Sequence, residues 1–595
     1  MVAFEPRAAN ASRVMNFGAE LIEPGRTRFR FWAPALRSVA LEVEGLAPIP
    51  MRALEGGWFE AEAPCGAGAA YKYRVSEDLA VTDPAARALR DDVFGPGLVT
   101  DPRSYRWKNA RWSGRPWTDC VFYELHVGAF GGFAGVAAAL PRLADLGVTA
   151  VELMPINAFA GDFNWGYDGV LPWAPSPSYG APDDLKALID AAHGLGMMMF
   201  LDVVYNHFGP EGSFLDTYAP RFFMDDTHTL WGPAIDFQQL PVRRFFAENA
   251  LYWLDEFRFD GLRFDAVHAI TDPDWLDETA TEIRERLEPR RFVHLVLEND
   301  HNVASHMRDG LFNAQWNDDA HHVLHVLLTG ERTGYYADYA DGTADRLARA
   351  LAEGFVYQGD PVASRKGKPR GTPSAHLPPT AFVTFLQNHD QIGNRAFGER
   401  LTTLADPTAL EAAIALQLLC PQIPLIFMGE EDASQSPFLF FAQHDEALAA
   451  AVREGRKREF EGIADAGDGL ADPNDRATFE QSIPRADPAL ASRRFALYRK
   501  LLALRREHIS PALEGARALG ARVVGSAAVL AEWSLGDGKI LTIAANLGEQ
   551  PASCGPPGSM PQGRLLFESV AGAHTGFRNG SLPGRTTVAI LLTET

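Results

Sequence analysis

Two hydrophobic periodicities divide this chain of 595 residues. Through the first hundred positions apolar and polar residues alternate in short bursts, at 28–32, 39–43 and 71–75, with Gly and Pro punctuating the gaps at 55–57 and 64–66. A period of two predicts half-buried strands, and this spacing predicts a small β-sandwich of the immunoglobulin-like kind. From residue 120 the runs become continuously apolar, at 121–127, 150–155, 197–204, 261–267, 292–297, 381–386 and 423–428, with a weaker eighth near 310–316. Amphipathic stretches such as 183–193, 276–287 and 338–351 lie between them. Apolar strands separated by helices predict a parallel sheet covered on both faces. Eight such units close a (β/α)8 TIM barrel, whose chemistry gathers at the C-terminal ends of its strands. A doubly wound open sheet is the alternative, but no Gly-x-Gly-x-x-Gly opens the first strand-to-helix turn. After a helical stretch at 493–506, strand-like runs return at 522–524, 528–533, 539–544 and 586–592, predicting a second, C-terminal β-sandwich. The fold class is therefore multidomain α/β, divided as 1–105, 106–510 and 511–595.

Composition narrows the partners. Hydrophobic residues at 46% and charged residues at 22% are ordinary for a globular protein. A net charge of -22 repels phosphate backbones and anionic lipid, so neither nucleic acid nor a membrane is expected as partner. The longest apolar stretch, 409–428, is interrupted by Glu411, Gln417 and two prolines and is too broken to span a bilayer. Cys65, Cys120, Cys420 and Cys554 form no CxxC pair and no metal-ligand spacing. The first twenty residues lack a basic start followed by an apolar run, so a cytoplasmic location is expected. The oligomeric expectation is a monomer or homodimer.

Polar residues at the ends of the apolar runs carry the chemistry. The third run ends in Asp202 to His207, the fourth holds Arg263 and Asp265, the fifth ends in Glu298, Asn299 and Asp300, and the seventh ends in Gln387 to Asp390. An unpaired buried carboxylate is costly or shifts its pKa, so such clustering calls for a function. Singly, each residue has a plain alternative: a helix cap, a turn residue, a core histidine, or an Asp202–Arg pair.

The segments DVVYNH (202–207), GLRFDAVHA (261–269), LEND (297–300) and NHDQ (388–391) resemble, in this order, the four signature segments of the α-amylase superfamily. Trp165 to Asp168 is similar to that family's aromatic segment after the second strand. DAVHAI (265–270), NDDAHH (317–322), NHDQIGNRAFGER (388–400) and EGRKREF (454–460) resemble the maltooligosyltrehalose trehalohydrolase family within it. That resemblance implies a retaining glycosidase acting on an α-glucan, a glucan-binding-like N-terminal sandwich and no cofactor. It implies Asp265 as nucleophile, Glu298 as acid/base and Asp390 as third carboxylate, with Arg263 keeping Asp265 ionised and burial keeping Glu298 protonated. Substrate contacts are expected from Asp202, Asn206, His207, Trp165, Tyr167, Phe264, Ala266, Val267, His268, His389, Gln391 and Asn394. The resemblance adds Asp318, Asp319, His321 and His322 as a substrate-side loop, although their pattern also fits a divalent ion on paper. Trp231, Trp316 and 438–441 are expected to wall the subsites that hold the released end. The competing readings are a glycogen branching enzyme, though Gln391 stands where those enzymes usually carry Glu, a debranching enzyme, and a non-catalytic carbohydrate-binding protein.

Overall fold

A computed structural model describes residues 16–229, 232–287, 291–461 and 469–592. Its centre is a closed barrel of eight parallel strands in sequence order. They are β1 (Phe122–Leu125), β2 (Ala150–Leu153), β3 (Met198–Val203), β4 (Gly261–Phe264), β5 (His294–Leu297), β6 (Ala314–Trp316), β7 (Phe382–Phe385) and β8 (Ile423–Phe427). Each falls inside one apolar run, including the weak eighth, which supplies β6. Closure follows from pairing β8 with β1, which sets Leu425 opposite Phe122. Helices flank the strands. Pro182–Gly194 exposes one polar face and buries Leu185, Leu188 and Ile189, the stripe that periodicity predicts. Pro407–Leu419, by contrast, is buried almost all round, because the helix Ala491–His508 and the C-terminal strands Ile540–Asn546 and Thr586–Leu592 pack against it.

The barrel interior is apolar at its base. Phe122, Phe200, Val296, Trp316, Phe385 and Leu425 form a core cluster there, all at most 1% exposed. Burying aromatic and branched side chains of this size stabilises the fold by roughly 1.5–3 kcal/mol each.

Both flanks are rich in strands. In the N-terminal region, Gly18–Glu23, Arg26–Trp32, Trp58–Ala63 and Arg52–Ala53 make one antiparallel sheet. A second sheet is built around Ala40–Val43 and Ala70–Arg74. Ring pairs Phe29–Tyr71 and Phe31–Tyr73 join the two faces. Phe31 also meets Tyr218, and Trp32 meets Phe222, so this region is seated on the barrel's β3-side insertion. In the C-terminal region a five-stranded sheet includes Arg517–Gly525, Ala528–Ser534, Ile540–Asn546, Thr586–Leu592 and Arg564–Glu568. Trp533 donates its indole N–H to the Leu351 carbonyl, and Thr587 donates its hydroxyl to the Ala412 carbonyl, fixing that sheet to two barrel helices. Among the described residues, no helix is long and apolar enough to cross a membrane.

Candidate active site

Alternate residues of a barrel strand face the axis. Phe122, Ala150, Phe200 and Val296 point into the apolar base. Two positions further along the same strands stand Glu124, Glu152, Asp202 and, just beyond β5, Glu298; Arg263 occupies the matching level on β4. The interior therefore changes from apolar to charged within one repeat, and the charged level lies at the C-terminal mouth.

Arg263 organises that level. It is 1% exposed, and its Nη1 donates to Asp202 at 2.6 Å and to Asp265 at 2.8 Å. Its Nη2 lies 3.9 Å from the Glu298 carboxylate. Trp316 supports the guanidinium from below, with the ring centroid 4.2 Å from its carbon. Asp265 follows β4 directly. Its second oxygen accepts from Asn206 Nδ2 at 2.7 Å, so the carboxylate is held from two sides. Ala266 then turns the chain with a left-handed φ of 40°, a conformation uncommon outside glycine. That turn aims its backbone N–H at Glu298, 2.6 Å away. Glu298 is thereby tied to the residue next to Asp265, and one guanidinium reaches both carboxyls. Burial raises the Glu298 pKa well above the usual carboxylate range; Arg263 opposes this, and the Asp265, Asp318 and Asp390 carboxylates add to it.

The wall opposite comes from β7. Asn388 caps the short helix His389–Gly393, accepting from the Gln391 backbone N–H. This sets Asp390 in the open, with Asn394 donating to it at 2.8 Å, and swings Gln391 towards Asp318. Asp318, raised to about 7 by burial and then by Asp390, faces the same space. His389 points inward instead and donates to Glu124. Burial acts to lower its pKa, but the Glu124 carboxylate outweighs burial, so it rises above the ordinary histidine value. Tyr167 stacks on His389 with centroids 5.0 Å apart and donates to Asp202 at 2.6 Å. His207 donates to Asn206 and is held below its usual pKa by burial. His268 is half-buried beside His301, and its ring accepts from the Asp300 backbone N–H.

Several residues expected to touch substrate are enclosed instead. Phe264 points away from the axis, as alternation after Arg263 requires, and packs on Tyr205 and Phe312. Val267 is 3% exposed, and Asp202 is consumed by Arg263 and Tyr167. Trp165 stacks on Phe438 and donates to the Leu439 carbonyl, while Gly393 presses so close that a Cβ there would sit 2.0 Å from the indole. Residues 318–322 are no loop: they open the helix Asp318–Thr329, capped by Asn317. Asp319 is fully buried, accepting from Asn302, Tyr339 and Arg370, and the His321 ring bonds the Leu386 carbonyl. Trp316 lies beneath Arg263, and Phe438 and Phe441 are wholly buried, so none of the three walls a subsite. Trp231 lies outside the described residues. Among the described residues, no group of three or more His, Cys, Asp or Glu is arranged to hold a metal ion. Glu124 and Glu152 join the site without a motif to mark them; their signal is a single acid inside an otherwise apolar parallel strand.

Comparison with known proteins agrees with this fold. Residues 102–220 match the family model described as the alpha amylase catalytic domain, and residues 516–590 match a domain of unknown function, DUF3459. A malto-oligosyltrehalose trehalohydrolase of Deinococcus radiodurans is 43% identical over 490 residues, covering 81% of each chain. One of Saccharolobus solfataricus is 37% identical, covering 83% of this chain and 87% of the relative. A crystal structure from Salmonella typhimurium, described as an alpha amylase, is 42% identical with a TM-score of 0.92, covering 98% of this chain and all of that one. With the barrel, the charged mouth and these relatives together, the chain belongs to the malto-oligosyltrehalose trehalohydrolase family of α-amylase-type proteins.

Proposed function

We propose that this protein hydrolyses the α-1,4-glucosidic bond next to the terminal trehalose unit of maltooligosyltrehalose, releasing trehalose and a shortened maltooligosaccharide with retention at the anomeric carbon. The observation that carries this reading is the Arg263 guanidinium shared between Asp265 and Glu298. It holds two neighbouring acids in unequal settings. Asp265, in direct contact with the cation and with Asn206, is fixed on both oxygens and fits the nucleophile. Glu298, half-buried and farther from the cation, keeps its proton and fits the general acid. In the first step Asp265 attacks the anomeric carbon as the Glu298 proton passes to the trehalose oxygen. In the second, Glu298 removes a proton from water, which displaces Asp265 and restores both groups. Asp390, exposed at the cleft, is placed to accept hydrogen bonds from sugar hydroxyls that tighten as charge develops. Tyr167 presents an aromatic ring backed by His389 to the same sugar, while Asn206 and His207 hold the nucleophile's side of the cleft.

The strand-rich segments 1–105 and 511–595 are assigned as separate domains around a catalytic 106–510. The four cysteines are free, as a reducing cytoplasm requires. Incubation with maltooligosyltrehalose tests the assignment. Trehalose release with an initially α-configured new reducing end supports it. Transfer to an α-1,6 branch, or binding without turnover, rejects it.

A further inference from the structure

Glu152 sits in β2 at the charged level of the barrel, opposite Glu124 of β1, and is 1% exposed. Neither of its oxygens has a hydrogen-bond partner within the protein. A carboxylate in that setting is costly, whereas a carboxylic acid needs only one acceptor for its O–H. An acceptor is at hand on the neighbouring strand. Asp202 of β3 uses Oδ2 for both Tyr167 and Arg263, while its Oδ1 is buried without a donor. The charged groups facing Glu152 are Glu124 on β1, Asp202 on β3 and Arg263 on β4. Glu124 is already committed to His389, and Arg263 to Asp202 and Asp265.

We propose that Glu152 is a positioning residue for the reaction: an uncharged acid that donates its O–H to Asp202 Oδ1, directly or through one water, and makes no claim on Arg263. Asp202 is then satisfied on both oxygens and can hold Arg263 and Tyr167 in place, and Arg263 in turn holds Asp265. Burial, followed by the Glu124 and Asp202 carboxylates, pushes the Glu152 pKa well above its usual value, the direction this role needs. An ionised Glu152 would compete with Asp265 for the guanidinium and leave Asp202 Oδ1 bare.

The inference rests on the catalytic reading of Asp265. Its test compares Glu152→Gln, which keeps an uncharged donor, with Glu152→Leu, which keeps the bulk and loses the donor. Glu152→Gln is expected to retain kcat within about threefold of the parent. Glu152→Leu is expected to lose about tenfold or more in kcat with KM nearly unchanged. Infrared difference spectra of parent against Glu152→Gln at neutral pH should show loss of one protonated carboxyl carbonyl band, a readout that does not depend on Glu152→Leu folding. Wild-type kinetics in Glu152→Leu, inactivity in Glu152→Gln, or loss of a carboxylate band in place of the acid band would each overturn the proposal. Because the parent protein and Asp265→Asn are assayed alongside, failure of the catalytic reading shows separately, as a parent without trehalose release or an active Asp265→Asn.

Discussion

The base and the mouth of the barrel are built from the same strands yet do opposite work. Phe122, Ala150, Phe200 and Val296 fill the base, and two positions on, Glu124, Glu152, Asp202 and Glu298 fill the mouth. At the base every side chain adds to stability by burying apolar area. At the mouth each acid loses hydration, and only partial compensation comes from Arg263, Asn206 and backbone N–H groups. The contrast teaches that one set of strands divides its work by height: the apolar floor supplies stability, and the acids above it give some of that stability up.

Substitutions at the two levels should therefore separate activity from stability. The largest effect on turnover belongs to the mouth. Asp265→Asn and Glu298→Gln should each lower kcat by about 10³-fold or more while leaving the melting temperature close to the parent's. A variant with near-parental kcat on the trehalose-capped substrate would remove that residue from its role. Arg263→Lys comes next, because a point charge cannot replace the planar fork that reaches three acids. It should cost about 10²-fold in kcat/KM, and unchanged kinetics would contradict the shared-cation account. Phe200→Ala probes the base. Denaturant unfolding should show a loss of about 3–5 kcal/mol, with kcat per folded molecule within a few-fold of the parent. An unfolding midpoint left in place would mean that the base is not the stabilising half.

The smallest effect concerns pH. If Glu298 is the general acid of the proposed reaction, kcat/KM falls as pH rises through its folded-state pKa. Asp318 is one of the carboxylates holding that pKa up. Asp318→Asn should shift the alkaline limb of the kcat/KM profile to lower pH, by less than about one unit. A shift to higher pH would reverse the sign of the assigned coupling.

The barrel was readable because seven strands are continuous apolar runs, and β6 was faint because Ala314–Trp316 is three residues long. Catalytic candidates at strand ends were legible for the same reason: polar residues there break the run visibly. Glu124 and Glu152 were not, since one acid inside an apolar run looks like noise until strand parity places it beside Arg263. Asp318 to His322 show a different limit. The Asn317 side chain caps a helix, and that helix buries Asp319 and His321 while Asp318 stays partly open and meets Gln391. Trp165 and Phe264 lie in family-like segments, yet which way each points is decided by Phe438 and by the alternation of β4.

The central claim is a division of labour between Asp265 and Glu298, and trapping the covalent intermediate tests it most directly. An α-maltooligosyl fluoride needs no proton donor for departure, so Glu298→Gln should form the sugar ester and hydrolyse it slowly. Mass spectrometry of a peptic digest should then find one glycosyl adduct, on the peptide bearing Asp265. An adduct on another acid, or rapid release of inverted product with no adduct, would contradict the account.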